Sequence, residues 1–149
     1  MNISIICIGK LKENFWKDAC GEYLKRLSRF AKMDIIELAE SKSDDKNEES
    51  AEILSHIPKG AYTIALDVGG KALSSEGLAE KIQDLATGGT SHIAFIIGGS
   101  NGFNDEVRKI ADFSLSFSSF TFPHQLMRVI LLEQVYRAFK INAGEKYHK

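Results

Sequence analysis

The sequence lacks the features that mark secreted, metal-clipped or membrane-spanning chains. It has only two cysteines, Cys7 and Cys20, which offer no disulfide framework, and no pair of His or Cys residues has the spacing of a metal site. No apolar run approaches the roughly 20 residues of a membrane span. The short run at 3–8 lacks the basic lead and the cleavage site of a signal peptide. We therefore expect a reduced, cytoplasmic protein with no metal and no membrane partner.

Charge of one sign is not in excess either. The formal net charge is −1, which argues against a binder held to DNA or RNA by charge alone. Residues 1–33 and 128–149 are nevertheless basic, whereas residues 34–60 are acidic. A fold that brings the two basic ends together has a basic face, and a mixed, solvated surface is the alternative. Charge alone leaves both interpretations open, and we expect no DNA partner.

What the sequence does have is the composition of one globular domain over residues 1–149, with 44% hydrophobic and 26% charged residues. Short apolar runs alternate with amphipathic segments, which predicts an α/β fold with a mostly parallel sheet of about five strands and flanking helices. Ligands of such a sheet bind beyond the carboxyl ends of its strands. The predicted strands are 3–8, 33–38, 61–66, 92–97 and 114–118, and the predicted helices run through 15–30, 51–57, 78–85, 105–111 and 123–140.

Two connecting segments carry turn or loop signals. Residues 39–50, AESKSDDKNEES, are polar and acidic, and we expect them to form an exposed loop. Gly69 with Gly70 follows the third predicted strand, and we expect this pair to end it. Ser74 or Ser75 is the expected cap of the next helix, which Gly88 closes.

The last predicted helix is apolar in nearly every direction around its axis. Val129, Ile130, Leu131 and Leu132 follow one another, so no wide polar face is left. A helix that is apolar all round must be buried on more than one side. We expect this domain to cover one side and a second copy to cover another, which predicts a homodimer. A central helix in a monomer is the alternative.

A glycine-rich stretch, FIIGGSNGF at 95–103, joins the fourth predicted strand to a helix. This is the layout of phosphate-binding loops and dinucleotide-binding turns. However, the GxGxxG spacing is absent, no GK[ST] follows, and Asp105 with Glu106 occupies the first helical turn, where a phosphate would be repelled. A neutral or cationic ligand held by backbone groups suits these residues better, and S-adenosylmethionine fits that description. A tight turn without a ligand is the alternative.

The C-terminal stretch carries the most specific motif. Residues 115–149 read LSFSSFTFPHQLMRVILLEQVYRAFKINAGEKYHK. Together with IGKLKE at 8–13 and FIIGGSNG at 95–102, they closely resemble the ribosomal large-subunit methyltransferase H family, small SPOUT-class enzymes that methylate N3 of a pseudouridine in a 23S rRNA stem-loop. The resemblance implies a SPOUT-type C-terminal trefoil knot, S-adenosyl-L-methionine as methyl donor, and a dimer with donor sites near the subunit interface.

The resemblance also implies which residues form the site. His148 lies in the terminal tail that the family shares, and it is our candidate acceptor of the N3 proton because histidine titrates near neutrality. Tyr147 is the second catalytic candidate, as a platform on which the base stacks, and Lys149 is a candidate phosphate contact. A frayed, disordered end is the alternative for this tail. Matched position by position, the donor pocket contains Leu66, Gly98, Phe117, Ser118, Ser119, Phe120, Thr121 and Phe122.

Two residues of the last helix have two interpretations each. Arg137 follows Glu133 by four residues, so it forms a structural salt bridge or contacts the rRNA. His124 lies in the first helical turn, where it contacts the donor or the RNA substrate, or else only packs. Both interpretations stay open for each residue. We expect the remaining histidines, His56 and His92, to be structural.

Two other classes of function stay open. A ribosome-binding or assembly factor without catalysis would bind RNA in a salt-dependent way and would not bind the donor. A small nucleotide-binding or flavin-binding enzyme is disfavoured by the two acids at 105 and 106 and by the missing GxGxxG. For the methyltransferase interpretation, the modest basic patches lead us to expect that 23S rRNA is recognised within the assembled ribosome.

Overall fold

The computed structural model describes all 149 residues, which form an α/β fold on one five-stranded sheet. Its strands are β1 (Asn2–Ile8), β2 (Lys32–Leu38), β3 (Tyr62–Ala72), β4 (His92–Ile97) and β5 (Phe113–Ser116). Its helices are α1 (Asn14–Leu27), α2 (Lys46–Ser55), α3 (Ser75–Thr87), α4 (Asp105–Ile110) and α5 (His124–Asn142). The strand order is β2-β1-β4-β3-β5 and every pairing is parallel. The predicted fold class is confirmed, whereas the trefoil knot stays a prediction of the resemblance.

Helices cover both faces of the sheet, as the side chains of β1 illustrate. Ile3, Ile5 and Cys7 lie in the larger core with α1, α3 and α5, whereas Ile6 and Ile8 lie in the smaller core with α2 and α4. Successive side chains of a strand point to opposite faces. A nearly unbroken isoleucine run is therefore the pattern of a strand that is buried on both sides.

Helix α5 lies between α1 and α3 and packs on the sheet through β4. Every residue from His124 to Ile141 is buried or half-buried. The chain itself thus supplies cover on two sides of this helix, which accounts for much of its apolar circumference. The homodimer inferred from that circumference stays a prediction. None of the helices combines the length and the apolar character needed to cross a membrane.

The prediction that Gly69 and Gly70 end the third strand is wrong. β3 continues to Ala72, and its register against β5 shifts so that Leu66 and Lys71 both face Leu115. The residues between them form a bulge, which bends a strand without ending it. A Cβ atom on Gly70 would lie 2.7 Å from the backbone of Ser114. This glycine therefore permits close approach of two strands rather than a turn.

Other boundaries also differ from the sequence predictions. Residues 39–50 are not all loop, because α2 begins at Lys46 and Asp45 caps it by accepting from the Asn47 N–H at 2.8 Å. Helix caps are polar, so a charged run hides a helix start. β5 ends at Ser116 rather than at 118. Phe15, at the start of the predicted amphipathic helix 15–30, is 62% exposed.

Candidate functional site

A cavity of about 540 Å³ opens beyond the carboxyl ends of β3, β4 and β5, where α/β sheets bind ligands. The bulge of β3, the glycine turn after β4 and the segment between β5 and α5 line it, and most of its surface is apolar. Its volume is in the range of sites for small organic ligands. The predicted donor residues that line it are Leu66, Gly98, Phe117, Ser118, Phe120, Thr121 and Phe122, whereas Ser119 does not.

The glycine turn presents backbone rather than side chains to this cavity. The Gly102 N–H donates to the Gly99 carbonyl at 2.9 Å, and Gly102 has a φ of 73°. A Cβ atom on Gly98 would lie 2.7 Å from the Gly102 carbonyl carbon. Any side chain at 98 would therefore push the turn open. The short helix that follows is capped by Asn104, which accepts from the Val107 N–H at 3.3 Å.

Serine hydroxyls order the segment between β5 and α5. Ser116 Oγ donates to the Ser118 carbonyl at 3.1 Å, and the Phe120 N–H donates to Ser118 Oγ at 3.0 Å. The Phe120 ring stands at the cavity rim and is 77% exposed. A ligand in the cavity would bury part of this ring, which favours binding of an apolar or aromatic group.

The charges around the cavity compensate one another. Arg108 lines it, but its Nε donates to Asp67 at 2.7 Å and its Nη1 donates to Asp105 at 3.0 Å. The hydrogen bond to Asp67, ahead of the one to Asp105, raises the pKa of Arg108. A guanidinium that is already paired with two carboxylates has little attraction left for a phosphate. The cavity thus suits a ligand without phosphate.

His124 also lines the cavity, at the start of α5. Its Nε2 lies 3.9 Å from Glu40 Oε1, and its side chain is largely buried. A ligand in the cavity can therefore contact His124. Contact of His124 with RNA stays a prediction.

The C-terminal tail is docked on the helices of its own chain. The Tyr147 hydroxyl donates to Glu133 at 3.1 Å, and the Tyr147 ring packs edge-on against Tyr136 with centroids 4.9 Å apart. His148 contacts Arg137 and Glu76. Glu145 pairs with Arg29 and Lys140. The alternative of a frayed end does not describe this structure.

Buried surroundings alter the tail's protonation chemistry. Burial, followed by the Glu133 carboxylate, raises the pKa of Tyr147 to about 12. This phenol is therefore a neutral hydrogen-bond donor rather than a base near pH 7. The hydrogen bond from Arg137 to Glu133 raises the pKa of Arg137. The salt-bridge interpretation of Arg137 is confirmed, and its contact with RNA stays a prediction.

The structure does not bring the tail residues to their own chain's cavity. Tyr147, His148, Lys149 and Arg137 are absent from the cavity lining. At about 1.5 Å per residue, the helix rise puts Arg137 roughly 20 Å along α5 from His124. The two groups of predicted site residues thus lie at different ends of one helix.

Sequence reasoning missed a buried ion pair next to the cavity. Arg128 is 2% exposed, and it lies one residue after Met127, which lines the cavity. Its guanidinium contacts Glu37 and the Gly9 carbonyl. Its Nε has no hydrogen-bond partner. The signal in the sequence was a single arginine inside an apolar run of α5, because a charge placed there must find a partner in the core.

Comparisons with known proteins agree with this architecture. A family model described as "Predicted SPOUT methyltransferase" matches residues 1–148. A "Ribosomal RNA large subunit methyltransferase H" from Clostridium novyi (strain NT) is 56% identical over 159 aligned residues, and one from Bifidobacterium animalis subsp. lactis (strain AD011) is 52% identical, each alignment covering 100% of both chains. A probable methylase family protein from Haemophilus influenzae Rd KW20 has a similar fold, with a TM-score of 0.58 at 12% identity over 99% of this chain and 70% of that one.

Proposed function

Because the chain belongs to the SPOUT methyltransferase family, we propose that it transfers a methyl group from S-adenosyl-L-methionine to N3 of a pseudouridine in 23S rRNA. The proposed substrate is the assembled ribosome, and the proposed active form is a cytoplasmic homodimer. Full-length relatives named for rRNA methylation support the substrate class.

The cavity at the carboxyl edge of the sheet is the observation that carries this proposal. Its walls are mostly apolar, its turn offers backbone groups at Gly98, and its one arginine is paired with Asp67 and Asp105. S-adenosylmethionine has an adenosine without phosphate and a sulfonium with a positive charge, so it needs no cationic cradle. The residues present therefore fit the donor.

The sulfonium supplies a methyl group that is already activated, so alignment and exclusion of water are the main tasks left to the protein. The backbone at Leu66, Gly98 and Phe117 would hold the adenosine, and Phe120 would close over the rim. The N3 of the base carries a proton that must leave. His148 is the proposed acceptor of that proton, and Tyr147 the proposed platform for the base.

In the proposed dimer, the tail at each site comes from the second copy. Within one chain, Tyr147 contacts Glu133 and His148 contacts Arg137, well along α5 from the end at which His124 lines the cavity. A dimer that sets the tail of one copy against the cavity of its partner brings His148 to the donor. Each active site would then combine a donor cavity and a proton acceptor from different copies.

Recognition of the RNA is proposed to rest on few charges. Lys149 would contact phosphate, Arg137 would leave part of its pairing with Glu133 to do the same, and His124 would contact the nucleotide at the cavity. A chain with a net charge of −1 gains little from counterion release on free RNA. The assembled ribosome supplies the additional surface that this binding requires.

Methyl-acceptor assays test the proposal. Radiolabelled donor would be offered with ribosomes that lack the modification, with their large subunits, and with the isolated stem-loop. We expect transfer to N3 of pseudouridine on ribosomes and little transfer to the free stem-loop. Calorimetry with S-adenosylmethionine provides the independent measurement. Absence of donor binding by the folded protein would refute the methyltransferase proposal, and strong methylation of the stem-loop would refute the assembled substrate.

A further inference from the structure

The imidazole of His148 is held from both sides. Its Nε2 lies 2.7 Å from Oε1 of Glu76 on α3, and its Nδ1 lies 3.1 Å from Nη1 of Arg137 on α5. A guanidinium only donates hydrogen bonds, and an ionised carboxylate only accepts them. Both contacts are hydrogen bonds only when Nε2 carries a proton and Nδ1 does not. The surroundings therefore select one neutral tautomer of the ring.

Glu76 lies where it can select this tautomer of His148. It lies in the first turn of α3, whose Ser74 cap accepts from the Gly77 N–H at 2.9 Å. A helix N-terminus favours a carboxylate. The pKa of Glu76 is lowered, first by a hydrogen bond to its own backbone N–H and then by the hydrogen bond to His148. The carboxylate, whose side chain is 63% exposed, is thus ionised and in contact with Nε2 before any substrate arrives.

Other charged groups near the imidazole have opposite effects on its protonated form. Arg137 disfavours a protonated ring, but Glu133 compensates much of its charge through their salt bridge. Tyr147 stays neutral, with Tyr23 of α1 and Glu133 on its hydroxyl side. Lys149 follows directly in the chain. Glu76 is the one anionic group in hydrogen-bond contact with the imidazole, and it would stabilise an imidazolium.

We propose that Glu76 is a positioning residue for His148: it fixes the Nε2-protonated tautomer, points Nδ1 at the base, and stabilises the imidazolium that forms. This inference rests on the proposed function and adds to it the atom that receives the proton and the group that prepares it. It requires the N3–H of the base to take the place of Arg137 at Nδ1. Arg137 is then released toward the RNA backbone.

The chemical step balances with these groups. The N3–H bond breaks toward Nδ1, and the nitrogen electron pair forms the bond to the methyl carbon. The electrons of the broken carbon–sulfur bond stay on sulfur, which leaves as a neutral thioether. His148 ends positively charged beside the Glu76 carboxylate, as an imidazolium does beside the buried aspartate of a hydrolase triad.

Two variants separate charge from hydrogen bonding. Glu76→Gln keeps an acceptor for Nε2–H and removes the charge, while Glu76→Ala removes both. Glu80→Gln is the matched control, because it removes an exposed acid one turn further along α3 that makes no hydrogen bond to the tail. Nitrogen-15 NMR of His148 in the free protein reports the tautomer, and single-turnover methyl transfer to ribosomes across pH reports the proton acceptor.

We expect Nε2 protonation in the wild type and a larger share of the Nδ1-protonated tautomer in Glu76→Ala, in which only the Arg137 contact at Nδ1 still selects between the two. Glu76→Gln should move the acidic limb of the pH–rate profile to lower pH, because the imidazolium loses its stabilising charge. Glu76→Ala should lower the single-turnover rate about tenfold or more, as expected for a misoriented general base, with donor binding unchanged. A wild-type tautomer population and pH profile in both variants would overturn the positioning role. Absence of methyl transfer by the wild type would instead refute the proposed function, so the two failures are distinguishable.

Discussion

Arg128 Nη1 of α5 donates to Glu37 at the end of β2 across 2.6 Å, although residues 37 and 128 lie 91 positions apart. Its Nη2 donates to the Gly9 carbonyl at 3.1 Å. The guanidinium side chain is 3% exposed and the carboxylate side chain 33%. One buried cation therefore ties the last helix to the ends of the first two strands.

Glu37→Ala is expected to destabilise the fold, because it leaves the buried Arg128 charge without its partner. We expect the free energy of unfolding to fall by about 2–3 kcal/mol. This is at or below the lower end of the cost of breaking a buried ion pair, because Glu37 is partly exposed. Urea unfolding followed by circular dichroism measures it. The control is Glu22→Ala, which removes an exposed partner of Arg26 and should change the stability by less than about 0.5 kcal/mol. Equal losses in both variants would contradict the buried-pair interpretation.

Gly98→Ala is expected to weaken donor binding by about tenfold or more, because its Cβ atom would displace the glycine turn that lines the cavity. Gly69→Ala is the matched control, since its Cβ atom would meet nothing within 4 Å. Titration calorimetry with S-adenosylmethionine compares the two. Wild-type affinity in Gly98→Ala would show that the turn does not contact the donor.

Mixing two impaired variants tests whether the tail acts on the partner's cavity, provided that the donor concentration is kept well below the Kd of Gly98→Ala. Gly98→Ala has a damaged cavity and an intact tail, and His148→Ala has the reverse. If the tail acts between copies, half of the dimers in an equal mixture are mixed, and each of these has one intact site of two. Methyl transfer should then recover to about one quarter of the wild-type value. If the tail acts within its own chain, the mixture stays at the mean activity of the two variants measured separately.

The two cysteines are expected to be unreactive in the folded protein. Burial raises the pKa of the Cys7 thiol to about 11 and also raises that of Cys20, against the opposing effect of Arg128. At pH 8 only about one Cys7 thiol in a thousand would be ionised, and the thiolate is the reactive form. A colorimetric thiol reagent should label neither residue in buffer and both in denaturant. Rapid labelling in buffer would show that the larger core, which contains both cysteines, opens readily.

Local patterns were enough to predict the elements but not the contacts of the tail. The strand at His92–Ile97 and the helix between Ser74 and Gly88 were predicted correctly because a continuous apolar run and helix capping leave signals within a few residues. The contact between His148 and Glu76 joins positions 72 apart. No periodic pattern in the sequence indicates a contact between residues so far apart.

The location of the candidate site was predictable from the sequence, but its detailed shape was not. The three cavity walls follow from the rule that parallel strands present their carboxyl ends together, and the resemblance assigned residues to them. Ser119 lies outside the lining because the Ser118 carbonyl accepts a hydrogen bond from Ser116 Oγ, which turns the segment. The bulge beside Gly70 was misread as a strand end, because a glycine pair signals either a turn or a close approach.

The segment between β5 and α5, which forms one wall of the cavity, has a consequence for synthesis of the protein. Leu66 of β3 and Gly98, in the turn after β4, are made before β5, but Phe117 to His124 are added only after all five strands have been translated. A nascent chain that stalls before this segment has a nearly complete sheet and still lacks one side of its ligand pocket. Incomplete products of translation would therefore not bind S-adenosylmethionine and would not compete with the finished enzyme for it.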